Sequence, residues 1–196
     1  MGVAAAPAAK SPCSGWRLTA SPLHPTTVGN FGWSSELDAL ASGDGTAVAR
    51  VRAANELAIT ESRTHFGAWC IVSSPLTIGM DVTDKEQLDS VWDILTNKEA
   101  IAVNQAWAGS PGRLVREDTN FQIWAKALAG GKQAVLVLNR GNKDVDLTVT
   151  TKELGLPTEC TSRDVWAKKD AGKIDGTWTL TGLGMHDSAF VILTPA

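Results

Sequence analysis

Apolar and polar positions follow three different patterns along the chain. From residue 1 to about Arg52, Ala, Ser, Gly, Pro and Thr dominate and no helical or strand period is sustained, so an irregular segment is expected. Trp16, Phe31 and Trp33 are the only large side chains there to anchor it, and Gly43-Asp44-Gly45-Thr46 forms a turn cluster. The pattern changes at Asn55. Phe66, Trp69, Cys70 and Ser73 recur at spacings of three and four, predicting an amphipathic helix that stops before Pro75, near Ser74. Leu76-Thr77-Ile78, closed by Gly79, reads as a short buried parallel strand. Thr83 and Glu86 stand at capping-box spacing and open a second helix, with Leu88, Val91, Trp92 and Leu95 on its buried face. Asn97 ends that helix or caps the following turn, and Ile101-Ala102-Val103 reads as another strand. Helix, strand, helix, strand is the grammar of β/α units on a parallel sheet. A closed (β/α)8 barrel takes about 250 residues, so this stretch could supply only its end.

From Gly109 the periodicity shortens. Segments at 114–116, 121–128, 133–138, 145–150, 163–166, 177–181 and 189–193 are alternating or apolar. Gly130-Gly131, Gly141-Asn142, Gly155 with Pro157, and Gly182 with Gly184 separate them, which is turn chemistry at strand spacing. The expected architecture is α/β plus all-β, with the last β/α units of an incomplete TIM barrel followed by a C-terminal antiparallel β-sandwich. The divisions fall at 1–54, 55–108 and 109–196, with Pro111 at the second junction. The sandwich is expected to be the best-ordered unit, because its strands bury their inner faces within the segment itself. The strands at Leu76 and Ile101 are expected to leave open edges.

Composition removes several classes of partner. A net charge of -3, with Lys and Arg scattered singly, gives no basic stripe of the kind that tracks a phosphate backbone, so no nucleic-acid partner is expected. No run approaches the roughly 18 apolar residues of a membrane span, so no membrane partner is expected. Residues 1–12 are small and Pro-rich without a leucine-rich block, which makes a poor secretory signal, and the cell compartment stays unassigned. Cys13, Cys70 and Cys160 are far apart, and His24, His65 and His186 are equally dispersed. Neither set has metal-ligand spacing, so no metal, cofactor or disulfide framework is expected, and Cys70 reads as a small buried hydrophobe.

The ordered motifs then carry a resemblance. Thr64-His65-Phe66, Trp69, Pro75-Leu76, Gly79 and Asp81 are followed by the run from Leu95 through Asn104-Gln105, then Gly109 and Gly112-Arg113. Beyond these stand Trp124-Ala125-Lys126, Leu128, Ala134-Val135, Leu138-Asn139-Arg140, Arg163-Asp164-Val165-Trp166 and Leu193-Thr194-Pro195. Over residues 59–196 this resembles the C-terminal part of a melibiase-type α-galactosidase of glycoside hydrolase family 27. The resemblance implies the last barrel strands feeding a β-sandwich, and an α-galactoside substrate for the complete enzyme. It also implies a retaining mechanism, which needs a nucleophilic carboxylate and a carboxylic acid about 5 to 5.5 Å apart.

Neither group can be located. The family's nucleophile lies in a Lys-Tyr-Asp context, and the chain has no tyrosine. The acid/base belongs to an Asp-Met-Leu-Glu-Val-Gly motif. Its only trace is Val28-Gly29-Asn30, with His24 and Pro25 where the aspartate and methionine would stand. The connection from Phe31 to Asn55 is longer than the family's, and Asp38, Asp44 and Glu56 sit in no matching motif and read as solvated surface groups. No catalytic residue is assigned. Asp81, Asn104 and Gln105 follow the expected strands, where barrel ligands bind, and are the candidate substrate contacts. Phe66, Trp69 and Trp92 read as core.

Three functions compete. One is an α-galactosidase by family whose chain is incomplete and silent alone, and another is a truncated product without function of its own. The third is a non-catalytic carbohydrate-binding or interaction sandwich, whose mark would be a surface row made from Trp124, Trp166 and Trp178. Alternation sets Trp124 on one strand face with Gln122 and Lys126, where exposure is open to it.

Overall fold

The structure, a computed structural model, describes residues 59–78 and 82–196. The 1–54 segment, Gly79 and Asp81 therefore lie outside the described residues.

Helix α1 is described over 59–71, with Phe66, Ala68, Cys70 and Ile71 buried. It ends earlier than Pro75 requires, because Ser73 takes a left-handed conformation (φ 57°). Ser74 N–H then reaches Trp69 O (3.0 Å) and Ser73 N–H reaches Cys70 O (3.4 Å), the paired bonds of a Schellman ending. Residues 74–78 carry no regular structure, and Thr77 and Ile78 are exposed, so the strand expected there does not form. A parallel strand needs neighbours along its edges and cover on both faces. The described residues offer this segment neither.

Helix α2 (Lys85–Leu95) starts one residue later than the expected box, with Asp84 as N-cap accepting from Gln87 N–H at 3.0 Å. Its buried residue is Ile94, while Leu88, Val91 and Leu95 are half-buried and Trp92 is 54% exposed. The apolar stripe is therefore the expected one, but it is only partly covered.

Helix α3 (Lys98–Gln105) replaces the second expected strand. Asn97 accepts from the N–H groups of Glu99 (3.0 Å) and Ala100 (3.2 Å), and Ala100 and Val103 are buried one turn apart. Three consecutive apolar residues fit a strand and a helix equally well. The cap, followed by the good helix formers Lys98, Glu99 and Ala100, decides for the helix.

Eight antiparallel strands follow. They are β1 (Arg113–Glu117), β2 (Phe121–Ala127), β3 (Gln133–Asn139), β4 (Val145–Thr150), β5 (Glu159–Asp164), β6 (Lys169–Asp175), β7 (Thr177–Leu183) and β8 (Ser188–Pro195), in the order β1-β2-β3-β8-β5-β6-β7-β4. β6 meets β7 only at Asp175↔Thr177, and there the sheet folds over into a sandwich. Six of the expected strands fall in place. The seventh is shifted: β5 lies at Glu159–Asp164, and Val165-Trp166 sits in the turn after it. β6 is not legible in the apolar pattern of the sequence, since only Ile174 of its seven residues is buried. Pairing with β5, from Glu159↔Asp175 to Asp164↔Lys169, makes it a strand.

The central strands are buried on both faces. Ile123, Ala125, Val135, Val137, Val191 and Leu193 point into the sandwich, against Leu147 and Val149 of β4, Cys160 of β5 and Leu183 of β7. The alternate residues Trp124, Ala134, Leu136 and Phe190 point the other way, against Phe66, Cys70 and Ile71 of α1, Ile94 of α2, and Ala100 and Val103 of α3. The described fold is thus three layers thick, with helices on one face of a mostly antiparallel sandwich.

The junction after α3 is tight. Gly112 N–H donates to Ile71 O at 2.9 Å, and a Cβ built on Gly112 would lie 2.4 Å from that same oxygen. The backbone of α1 cannot move aside without breaking the helix ending. Gly112→Ala is expected to destabilise the chain by about 2–3 kcal/mol, read as a lower urea midpoint at unchanged slope.

Candidate functional site

Of the three candidate sugar contacts, Asp81 lies outside the described residues. Asn104 sits in the last turn of α3, and its amide donates to Ser74 O (2.8 Å) and Trp69 O (3.2 Å). The side chain thereby ties α3 to the end of α1. Gln105 is exposed on the next position, near Trp107, which is 65% exposed.

A cleft between α1 and the β7–β8 turn brings together ionisable groups that spacing did not connect. His186 Nδ1 lies 2.7 Å from Glu61 Oε1, Thr64 Oγ1 donates to His186 O at 2.8 Å, and Arg63 pairs with Asp187 at 2.8 Å. These contacts clamp α1 to the turn. The cavity beside them holds about 70 Å³, far below the roughly 300–1,000 Å³ of small-molecule sites. His65 faces it, packed edge-on against Trp69 with ring centroids 4.8 Å apart, and burial pushes its pKa down, which favours the neutral ring. Such a cleft has no room for a pyranose ring.

A second indentation, of about 340 Å³, lies over β5, β6 and β8. Arg163 occupies its wall and bridges two carboxylates, Glu99 (2.7 and 3.1 Å) and Asp170 (3.1 Å). The hydrogen bonds to Glu99 first, and to Asp170 next, raise the guanidinium pKa above its already high value. A permanently charged arginine between two carboxylates is a structural ion-pair network. Both carboxylates are held by the guanidinium, which leaves neither free to serve as the nucleophile that a retaining hydrolase needs.

The sandwich tryptophans do not form a surface row. Trp124 is 1% exposed beneath the helices, its Nε1–H donating to Gln122 Oε1 at 3.2 Å. Trp166 packs on Phe190 with centroids 5.4 Å apart, and Trp178 is half-buried against the sandwich core. Alternation placed Trp124 on the right face, but helices absent from the strand pattern cover that face.

Residues 118–193 match the family described as the alpha galactosidase C-terminal beta sandwich domain. The chain is 33% identical over 138 residues to an α-galactosidase of Coffea arabica, a match covering 69% of this chain and 36% of the coffee protein. Among solved structures, a family 27 β-L-arabinopyranosidase of Geobacillus stearothermophilus superposes with a TM-score of 0.64 at 33% identity, covering 70% of this chain and 31% of that one. α-Galactosidase I of Mortierella vinacea does so with a TM-score of 0.64 at 29% identity, covering 70% and 36%. The fold and these likenesses define the class: a C-terminal sandwich domain of the α-galactosidase type, with the helices that precede it. The chain belongs to the melibiase family, glycoside hydrolase family 27, and corresponds to the C-terminal part of its α-galactosidases. It spans about a third of the length of these relatives.

Proposed function

We propose that this chain is a non-hydrolysing part of a family 27 glycosidase, whose described residues support a catalytic barrel without supplying its carboxylates. The observation that carries this is the missing chemistry. No tyrosine exists to form the Lys-Tyr-Asp context, and the two cavities described above, among the described residues, lie beside an ion-pair clamp and an arginine-bridged network. On this reading 1–54 precedes the two domains, 55–108 is the end of the barrel, and 109–196 is the sandwich. Asp81, Asn104 and Gln105 are the residues that would border the sugar. The half-covered apolar stripe of α2, with Trp92, supports a barrel seated against the helices.

The substrate class of the complete enzyme is a galacto-configured pyranoside, with terminal α-D-galactose of oligosaccharides or glycoconjugates as the parent case. β-L-Arabinopyranose, the sugar named for the Geobacillus relative, has the same ring configuration without the hydroxymethyl group.

A chimera tests this reading. Residues 59–196 replace the matching third of the coffee α-galactosidase, and hydrolysis of an aryl α-galactoside is measured beside the parent. Recovery of activity within about tenfold of the parent is expected. A folded chimera lacking galactosidase activity would overturn the assignment of these residues as the barrel's support.

A further inference from the structure

We infer that Lys126 pins the helical layer to the sandwich, so that α1 and α3 open only together with the strands and the cooperative unit begins in α1 rather than at the 109–112 junction. Lys126 lies in the middle of a central strand with 0% exposure, and its Nζ donates to Val103 O and to Asn104 O, the latter at 3.2 Å. These are carbonyls of the last turn of α3, where no further helical N–H follows; Ala106 N–H already serves Ala102 O. An ammonium here also meets the negative end of the helix dipole. Burial pulls the Lys126 pKa down, and two carbonyl bonds with that dipole are what the charge gains in return.

Other ties run the same way. Asn97 Nδ2 donates to Val165 O at 2.9 Å, Glu99 binds Arg163 through both oxygens, and Gly112 N–H closes on Ile71 O. If the helices lifted away, Lys126, Trp124, Leu136 and Phe190 would all be uncovered on one sheet face. The junction at 109–112 therefore divides two sequence patterns without dividing two folding units.

The chain carries its own reporters. Cys70 lies in the core between helices and sheet, and Cys160 in the core between the two sheets, both buried and free. Alkylation of the full 196-residue chain, read peptide by peptide by mass spectrometry, follows each thiol separately, with rates normalised to the urea-unfolded chain. In the wild type the two thiols are expected to react equally slowly, within about threefold, because both wait for the same opening. Lys126→Met, which fills the space but orphans both carbonyls, is expected to speed Cys70 by at least about tenfold relative to Cys160. Lys126→Gln, which retains a donor, should give a smaller rise in the same direction and serves where the methionine variant does not fold. A wild-type Cys70 reacting more than tenfold faster than Cys160 would overturn the inference, since the layer would then open alone. So would a variant that speeds both thiols equally or neither, since Lys126 would then not hold the layers together.

Discussion

Between pH 9 and pH 12 the folded chain is expected to lose about 4 kcal/mol of stability through Cys70 alone. Burial pushes this thiol from 9.0 up to about 12. In the unfolded chain the same group ionises from pH 9 upward. Above pH 9 the folded state therefore binds more protons than the unfolded state, and stability falls as pH rises. Cys160, also raised by burial, acts with the same sign. Lys126 acts against them: its folded pKa is lowered, so the cost of its buried charge is relieved as pH passes that value, and the gain is complete by 10.5. From 10.5 to 12 only the cysteine effect remains of these. Urea unfolding of the wild type and of Cys70→Ala at pH 8 and pH 11 measures the difference. The wild type should lose about 2–3 kcal/mol more than the variant over that interval. Parallel losses in the two proteins would show that Cys70 is not buried as described.

Asn97 carries the second large effect, because one buried amide does two jobs. Its oxygen caps α3, and its Nδ2 reaches across to Val165 O in the turn after β5. Asn97→Ala removes both and strands a buried carbonyl, for an expected loss of about 3 kcal/mol. Asn97→Asp separates the roles. Aspartate caps as well as asparagine, but it turns an oxygen toward the Val165 carbonyl, so about 2 kcal/mol should still be lost at neutral pH. An aspartate variant as stable as the wild type would show that the tie to β5 contributes nothing.

The same residue shows how far the sequence could be read. Asn97 was recognisable as a cap from its type and place, whereas its bond to Val165, 68 positions away, leaves no local trace. Where side chains alternate and turns carry glycine, as in β2, β3, β4, β7 and β8, the strands were legible. β6 was not, because its six polar or small residues have no buried face to alternate with and the partner strand alone defines it. Ile101-Ala102-Val103 misled in the other direction, since a short apolar run says that a segment is buried but not by what. Helical spacing sets Trp92 in a core, whereas the described residues leave it exposed. The clamp of Glu61 on His186 and the bridge of Glu99 to Arg163 join residues 125 and 64 positions apart, and no spacing rule could have connected them. The family resemblance was legible because it rests on the order of many short motifs, which does not depend on whether each was assigned to helix or strand.

Hydrolysis of an aryl α-galactoside by the purified 196-residue chain shows directly whether these residues carry catalysis. A retaining mechanism needs a nucleophile to form the galactosyl-enzyme and an acid to release the aglycone. Without the tyrosine-marked nucleophile motif, no release above the buffer rate is expected at any pH from 4 to 8. Turnover that disappears in Asp81→Ala or Asp38→Ala, and persists in the exposed-site variant Lys152→Ala, would contradict it by showing a hydrolytic site rebuilt within this chain.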